Sequence, residues 1–317
     1  MENINMLLLT FFCLILSKAH CQDYSQLSLT ELEEVVNTQE SKIKDIKKDN
    51  NASISWGQKS YEKTDLSFVY LHGFGASKME AQPVISHLAD ECKANVYYAR
   101  LKGHGRTSVK GYEELTKENY LESADQAYQI GKRLGNKVIL ISTSTGGTLS
   151  LSLAKKYKDV AGLVMYSPFV GLKNPMMAQI TTEKGKAQFK KMVGGEVRHM
   201  DRPDNEAKYW STDYHINAYV ALIDLVQTEM NKETFEEIEA PVFLGYYYKN
   251  EEEQDQVVSV QAMRDMFKQL STPNGFKTKK AFPKAGNHVI ASDLRSKNWE
   301  GVEQASLQFI NDKILKP

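Results

Sequence analysis

The sequence predicts an α/β fold: a mostly parallel sheet with helices on both faces and a helical cap inserted late in the chain. Three observations carry this. Short apolar runs of strand character alternate with amphipathic helical stretches along most of the 317 residues, the pattern of a parallel sheet covered on both sides. One of these runs, "KVILIS", passes directly into "TSTGG" and then into a helical stretch, so a strand-to-helix turn carries a cluster of hydroxyl side chains. The alternation is broken only between about 171 and 238, a section rich in Met, Lys and Tyr that is far longer than a simple crossover requires.

Element by element, "SLTELEEVVNTQESKIKDIKKDN" from Ser28 has N-cap signals, and Leu32, Val35, Val36, Ile43 and Ile46 fall at helical spacing. That predicts an amphipathic helix over residues 22–50, packed on the main domain of residues 51–317. Within the main domain "ASISWG" and "LSFVYLHG" are strands, "MEAQPVISHLADECK" a helix and "NVYYARLKGHG" a strand leading into a loop. A helix around "NYLESADQAYQIGKRLG", the strand "KVILIS", the helix "GTLSLSLAKKYK" and the strand "VAGLVMYSP" follow. After the insertion come the strand "PVFLGYYYK", the helix "SVQAMRDMFKQL", the strand "KTKKAF" and the helix "VEQASLQFINDKIL". The insertion is mostly helical in pattern, with "YHINAYVALIDLVQTEM" its clearest amphipathic segment. Its place after a strand end suits it to cover a ligand crevice at the carboxyl edge of the sheet.

The N-terminus has its own signal. "MLLLTFFCLIL", Met6 to Leu16, has the length of an export-signal core and is too short to span a bilayer. "SKAHCQ" follows, with cleavage expected after Ala19 or between Cys21 and Gln22, so residues 1–21 read as a signal peptide of a periplasmic or secreted protein that keeps no transmembrane segment. Against this stands an n-region, "MENIN", without Lys or Arg. His20 and Lys18 fit a lipidation site at Cys21 poorly.

Composition narrows the function by exclusion. Forty basic side chains balance forty acidic ones, which removes the electrostatic footprint of a nucleic-acid binder. Three cysteines, Cys13 inside the signal and Cys21 at its expected cleavage region, allow at most one disulfide, and neither CxxC nor HExxH occurs, so no metal or other cofactor is implied.

Ser144 sits at the strand-to-helix turn with Gly146 two positions on, the context of a nucleophile elbow. The turn is sharp enough that positions two before and two after must be small. Ser142 stands where glycine is usual. Thr145 occupies the position whose backbone N–H would help stabilise a developing oxyanion. Taken alone, "STSTGG" is equally a helix N-cap. Upstream, "LHGFG" ends an apolar strand, and its glycines let the backbone approach a ligand closely. The Phe74 N–H would be the second oxyanion donor facing that of Thr145, and His72 and His104 are expected to be structural hydrogen-bonders rather than bases.

With "HGFG", "RLKGHGRTS" and "STSTGG" in this order, residues Ser53 to Leu315 resemble the α/β-hydrolase superfamily, in its monoacylglycerol-lipase-like and serine-aminopeptidase-like branch. The resemblance implies a nucleophile, an acid and a histidine in that order. His288 in "FPKAGNHVI" lies beyond the last predicted strand, as the order requires of the base, while His199 and His215 fall in the insertion. Asp255 in "DQVVS" resembles the family's acid, with Glu253 as substitute. The expectation is an exported serine hydrolase cleaving carboxylic esters, of carboxylesterase, lysophospholipase or monoacylglycerol lipase type, on a small-molecule and lipid-derived substrate. Met176, Met177 and Met192 would line an acyl pocket. A histidine base predicts turnover that falls below about pH 6. Amide or peptide cleavage on the same fold, and a catalytically silent binding protein, remain open alternatives.

Overall fold

The computed structural model describes residues 23–316; the expected signal peptide, with Cys13 and Cys21, lies outside them. Nine strands and eleven α-helices are described. The strands are β1 (Ser53–Ser55), β2 (Thr64–Leu71), β3 (Asn95–Tyr98), β4 (Gly135–Thr143), β5 (Val160–Tyr166), β6 (Val197–His199), β7 (Asp213–His215), β8 (Val242–Tyr246) and β9 (Lys277–Ala281). The helices are α1 (Leu29–Ser41), α2 (Gln82–Cys92), α3 (Lys110–Glu113), α4 (Lys117–Leu134), α5 (Thr145–Lys156), α6 (Glu183–Val193), α7 (Asp204–Ala207), α8 (Ile216–Glu229), α9 (Lys232–Glu236), α10 (Val260–Gln269) and α11 (Trp299–Ile310).

Seven strands make one sheet in the order β1-β3-β2-β4-β5-β8-β9, parallel except for β1, which pairs antiparallel with β3 at the edge. The central strands are buried along nearly their whole length, as expected where both faces are covered. One face packs against α2 and α11, through Val84, Ile85, Leu88, Val302 and Phe309 among others. The other packs against α4, α5 and α10, with α1 and α8 outside them. The chain leaves β2 toward β3 on one side and later enters β4 on the other, so strand order reverses between β2 and β4. A crevice therefore opens at their carboxyl ends. Register sets Leu71 opposite Ser142, which puts the two glycine-containing turns side by side.

The first helix is shorter than its apolar spacing suggests. Ser28 and Glu31 form a reciprocal capping box at its start, and Leu32 and Val36 are buried. It ends at Ser41, because the next residues pair with the loop after β3 instead: Lys47 N–H donates to the Gly105 carbonyl at 2.8 Å, and Thr107 N–H to that of Asp45 at 2.8 Å. Ile43 and Ile46 thus leave the helix. A two-pronged Arg100–Glu40 ion pair, 2.7 and 2.8 Å, fastens α1 to the same loop.

The insertion is mostly helical but not wholly so. A short antiparallel pair, β6 with β7, stands in it. Ile216, Ala218, Leu222 and Leu225 of α8 are buried beside α4 and α5, so this segment is a structural lid as well as a covering one. Among the described residues no helix is long and apolar enough to cross a membrane, no group of side chains is arranged to hold a metal ion, and Cys92 is a free thiol.

Candidate active site

Ser144 is the residue at which β4 turns into α5, and its backbone shows the strain of that turn, with φ 52° and ψ −114°. The turn is held from both sides. Ser144 N–H donates to the Tyr166 carbonyl at 3.0 Å, and the Ser144 carbonyl accepts from Gly147 and Phe169 at 2.8 and 2.9 Å. Gly146 is glycine for a reason of space: a Cβ there would lie 1.9 Å from the Leu71 carbonyl oxygen. Ser142 is fully buried, and its hydroxyl has no hydrogen-bond partner, so it serves here by being small. Ser144 itself is 7% exposed at the floor of a cavity of about 830 Å³.

Asp255 and His288 come from the loops after β8 and β9 and meet in the same place. His288 Nδ1 lies 2.6 Å from Asp255 Oδ2, while the other Asp255 oxygen accepts from the amides of Val257 and Val258 at 2.8 and 3.1 Å. Those amides are why "DQVV" suits the role: the two valines following the acid turn their N–H groups back onto it. Burial by itself would raise the Asp255 pKa, yet the His288 charge and these donors outweigh it and hold the carboxyl below its ordinary value. For His288, burial would lower the pKa, but the Asp255 carboxylate prevails and the net shift is upward. Turnover controlled by this base would therefore decline at a higher pH than an ordinary histidine implies. Nε2 of His288 is buried without a partner, and among the described residues the Ser144 hydroxyl has none either, although both line the cavity. The bond between Asp255 and His288 is made; one between His288 and Ser144 is not. Glu253, the substitute acid, is exposed and paired with Lys249 at 2.6 Å.

Phe74 and Thr145 lie on the two adjoining turns. Thr145 is the first residue of α5, so its amide is one of the N–H groups left free at a helix start, where the dipole favours negative charge. Among the described residues neither amide has an acceptor. The Phe74 ring is clamped by Tyr214 and Tyr219 of the insertion, each at 5.1 Å between centroids. Gly75 has φ 74°, and a Cβ there would meet the Tyr214 hydroxyl at 2.1 Å. The cap thus presses directly on the turn that carries Phe74. His72 and His104 are fully buried, with their ring centres 5.1 Å apart and their planes tilted by 54°. His72 accepts from the Leu101 amide through Nε2 at 3.1 Å and donates through Nδ1 to the Gly73 carbonyl at 2.9 Å, so it braces the turn as a neutral ring. Burial pushes its pKa down to about 4.

Glu80 was not legible in the sequence as part of the site. It follows the turn in a single 3-10 loop, Lys78–Glu80, is 2% exposed, and accepts from Gly73 N–H at 2.8 Å and from the Tyr70 hydroxyl at 3.1 Å. Burial raises its pKa, against the pull of the Gly73 amide and the His288 charge. Only a carboxylate inside the apolar-patterned "KMEAQPV" could have hinted at it. Of the three methionines expected to line an acyl pocket, Met177 lines the cavity, whereas Met176 and Met192 are 79% and 70% exposed and are not part of its lining. Met200, Phe169, Leu172, Leu222 and Ile223 supply the apolar wall instead.

Comparison with known proteins agrees with this architecture. Residues 62–293 match the family model described as serine aminopeptidase, S33. A thermostable monoacylglycerol lipase from Bacillus sp. (strain H-257) is 26% identical over 141 residues, 44% of this chain and 55% of that enzyme, so the chain spans about half the length of the curated relative it matches. Among solved structures, a metagenome-derived lipolytic enzyme superposes with a TM-score of 0.68 at 15% identity, covering 84% of this chain and 99% of the other. The monoacylglycerol lipase of Paleococcus ferrophilus does so with a TM-score of 0.60 at 17% identity, covering 82% and 97%. At such identities the superpositions establish the fold.

Proposed function

The chain belongs to the serine aminopeptidase S33 family, with an α/β-hydrolase fold, and from that premise we propose that it is an exported serine hydrolase of carboxylic esters. The observation that carries the proposal is the 2.6 Å bond between Asp255 and His288 in the cavity floored by a strained Ser144. Ser144 Oγ attacks the ester carbonyl as His288 Nε2 removes its proton. Asp255 holds the ring in the tautomer that leaves Nε2 free and stabilises the imidazolium that forms. The amides of Phe74 and Thr145 receive the negative charge that develops on the carbonyl oxygen. The proton then passes from His288 to the departing alcohol, and water, activated by the same histidine, releases the acid from the acyl-enzyme. Ester rather than peptide cleavage is favoured by the predominantly apolar wall of the cavity, which suits an acyl chain, and by the lipase named among the relatives.

Fluorophosphonate labelling tests the nucleophile. Wild-type protein is expected to be labelled, and Ser144→Ala to lose both labelling and at least about 10³-fold of nitrophenyl-ester turnover. Equal labelling of the variant would remove Ser144 from the mechanism. Export rests on the Met6–Leu16 apolar run. Expressed in an exporting host, the mature protein is expected to begin near residue 20 or 22 by intact mass, and retention of Met1 would refute processing.

A further inference from the structure

The cavity wall is not uniformly apolar. Arg198, Arg202 and Arg295 line it, the first two on and just after β6 of the cap and the third in the loop that carries His288. Their charges are poorly balanced. Arg202 and Arg295 share a single carboxylate, Glu206, which Arg202 meets at 3.9 Å. Arg295 Nε is buried with no hydrogen-bond partner. Arg198 forms no ion pair among the described residues and lies 5.7 Å from the Tyr219 ring centre. The two carboxylates that line the same cavity do not redress this. Glu80 is committed to Gly73 and Tyr70, and Asp201 reaches out to His199 at 3.3 Å with its side chain fully exposed.

Arg202 is further held by the Ser211 carbonyl at 2.9 Å and the Tyr214 hydroxyl at 3.1 Å, but those partners are neutral. Holding three half-buried guanidinia against one carboxylate is costly unless something else supplies the missing negative charge. A site evolved for a neutral ester would gain nothing from them. We propose that Arg198, Arg202 and Arg295 form an anion subsite, and that the esters this protein cleaves bear a phosphate or carboxylate on their alcohol portion. The inference rests on the ester-hydrolase reading above and sharpens its substrate class. The anion belongs to the alcohol side because the leaving oxygen must reach His288, and Arg295 stands seven residues further along the same loop, near enough for its charge to act on that ring. The acyl chain takes the opposite, apolar wall of Phe169, Leu172, Met177, Leu222 and Ile223. In the acylation step the ester C–O bond breaks, the acyl group stays on Ser144, and the alcohol oxygen takes the proton that His288 removed from the serine. The anionic alcohol departs, and water then releases the carboxylic acid.

A chain-matched set of esters tests this: monolauroylglycerol, lauroylglycerol phosphate and lauroyl lactate, the last two placing a phosphate or a carboxylate on the alcohol side. At low salt the better of the two anionic esters is expected to exceed the neutral one in kcat/KM by about tenfold or more, the scale of charge-assisted hydrogen bonds to guanidinium. Which of them leads identifies the anion. The ratio falls toward one in Arg198→Gln and in Arg202→Gln, and as salt is raised. A binding arm is independent of turnover: by calorimetry, Ser144→Ala protein is expected to bind dodecyl phosphate more tightly than dodecanol, and Arg198→Gln in that background to remove the difference. A wild type that cleaves monolauroylglycerol at least as well as both anionic esters overturns the subsite and leaves the ester reading standing. Dodecyl phosphate binding that depends on Arg198, with none of the three esters cleaved, upholds the subsite and overturns the ester reading.

Discussion

At the scale of single residues, the candidate site divides into groups whose chemistry names them and groups that only their surroundings reveal. Ser144, Asp255 and His288 could be picked out because few other positions satisfy a serine at a strand-to-helix turn followed by an acid and a late loop histidine. Glu80 could not, since nothing local distinguishes a buried carboxylate from an exposed one. Its position beneath Gly73 nevertheless gives it two consequences: it fixes the turn that presents the Phe74 amide, and its negative charge helps hold the His288 pKa up. Glu80→Gln keeps the shape and removes the charge. We expect kcat to fall by about tenfold with little change in KM, as for a misplaced oxyanion donor. The acid limb of the pH profile should lie above the ordinary histidine value of about 6.5 in the wild type and move to lower pH in the variant. A purely structural Glu80 would leave that limb where it was.

At the scale of elements, the elbow between β4 and α5 shows how a sequence pattern and a packing constraint coincide. Gly146 is the second residue of α5, where alanine would ordinarily be the better helix former. Here the added methyl would strike the Leu71 carbonyl, a backbone group that cannot swing aside. Gly146→Ala should therefore cost about 3 kcal/mol or more, read as a lowered urea midpoint, whereas an unchanged or higher midpoint would contradict the close approach of α5 to β2. The usual glycine at Ser142 is dispensable by the same reasoning, because its hydroxymethyl group fits the fully buried space it occupies. Elements were less legible where distant chain competes for them. The helix α1 stops at Ser41 although Ile43 and Ile46 continue its periodicity, since Lys47 and Asp45 find backbone partners in the loop after β3. The β6–β7 pair leaves no mark in the sequence pattern, because three-residue strands carry too few side chains to display alternation.

At the scale of the whole molecule, two buried histidines make the fold sensitive to acid. His72 and His104 are held neutral, both by burial first, with the His72 pKa pushed down to about 4. Below about pH 6.5 the unfolded chain takes up protons that the folded chain refuses, so stability is lost as pH falls from about 6.5 toward 4. Each unit of difference is worth about 1.4 kcal/mol, which makes His72 alone responsible for on the order of 3 kcal/mol across that window. His288, with its raised pKa, acts in the opposite sense and offsets part of this. Urea unfolding should show lower stability at pH 5 than at pH 7, and replacing His72 with Gln should shrink that difference; a pH dependence that the substitution leaves unchanged would mean that the His72 ring is not held neutral in the fold. By itself the sequence determined the layered α/β class and the order of strands and helices along the chain, because hydrophobic period and turn chemistry are local properties, while Ser144, Asp255 and His288 stood out as candidates through the strand-to-helix turn and the resemblance to a known family. Tertiary structure alone decided that β2 and β4 lie side by side, that Asp255 and His288 meet at 2.6 Å, that Glu80 lies under the glycine turn, and that arginines from cap and core face one cavity. These are contacts between residues far apart in the chain, fixed by strand order and by what the cap covers, and no local pattern encodes them.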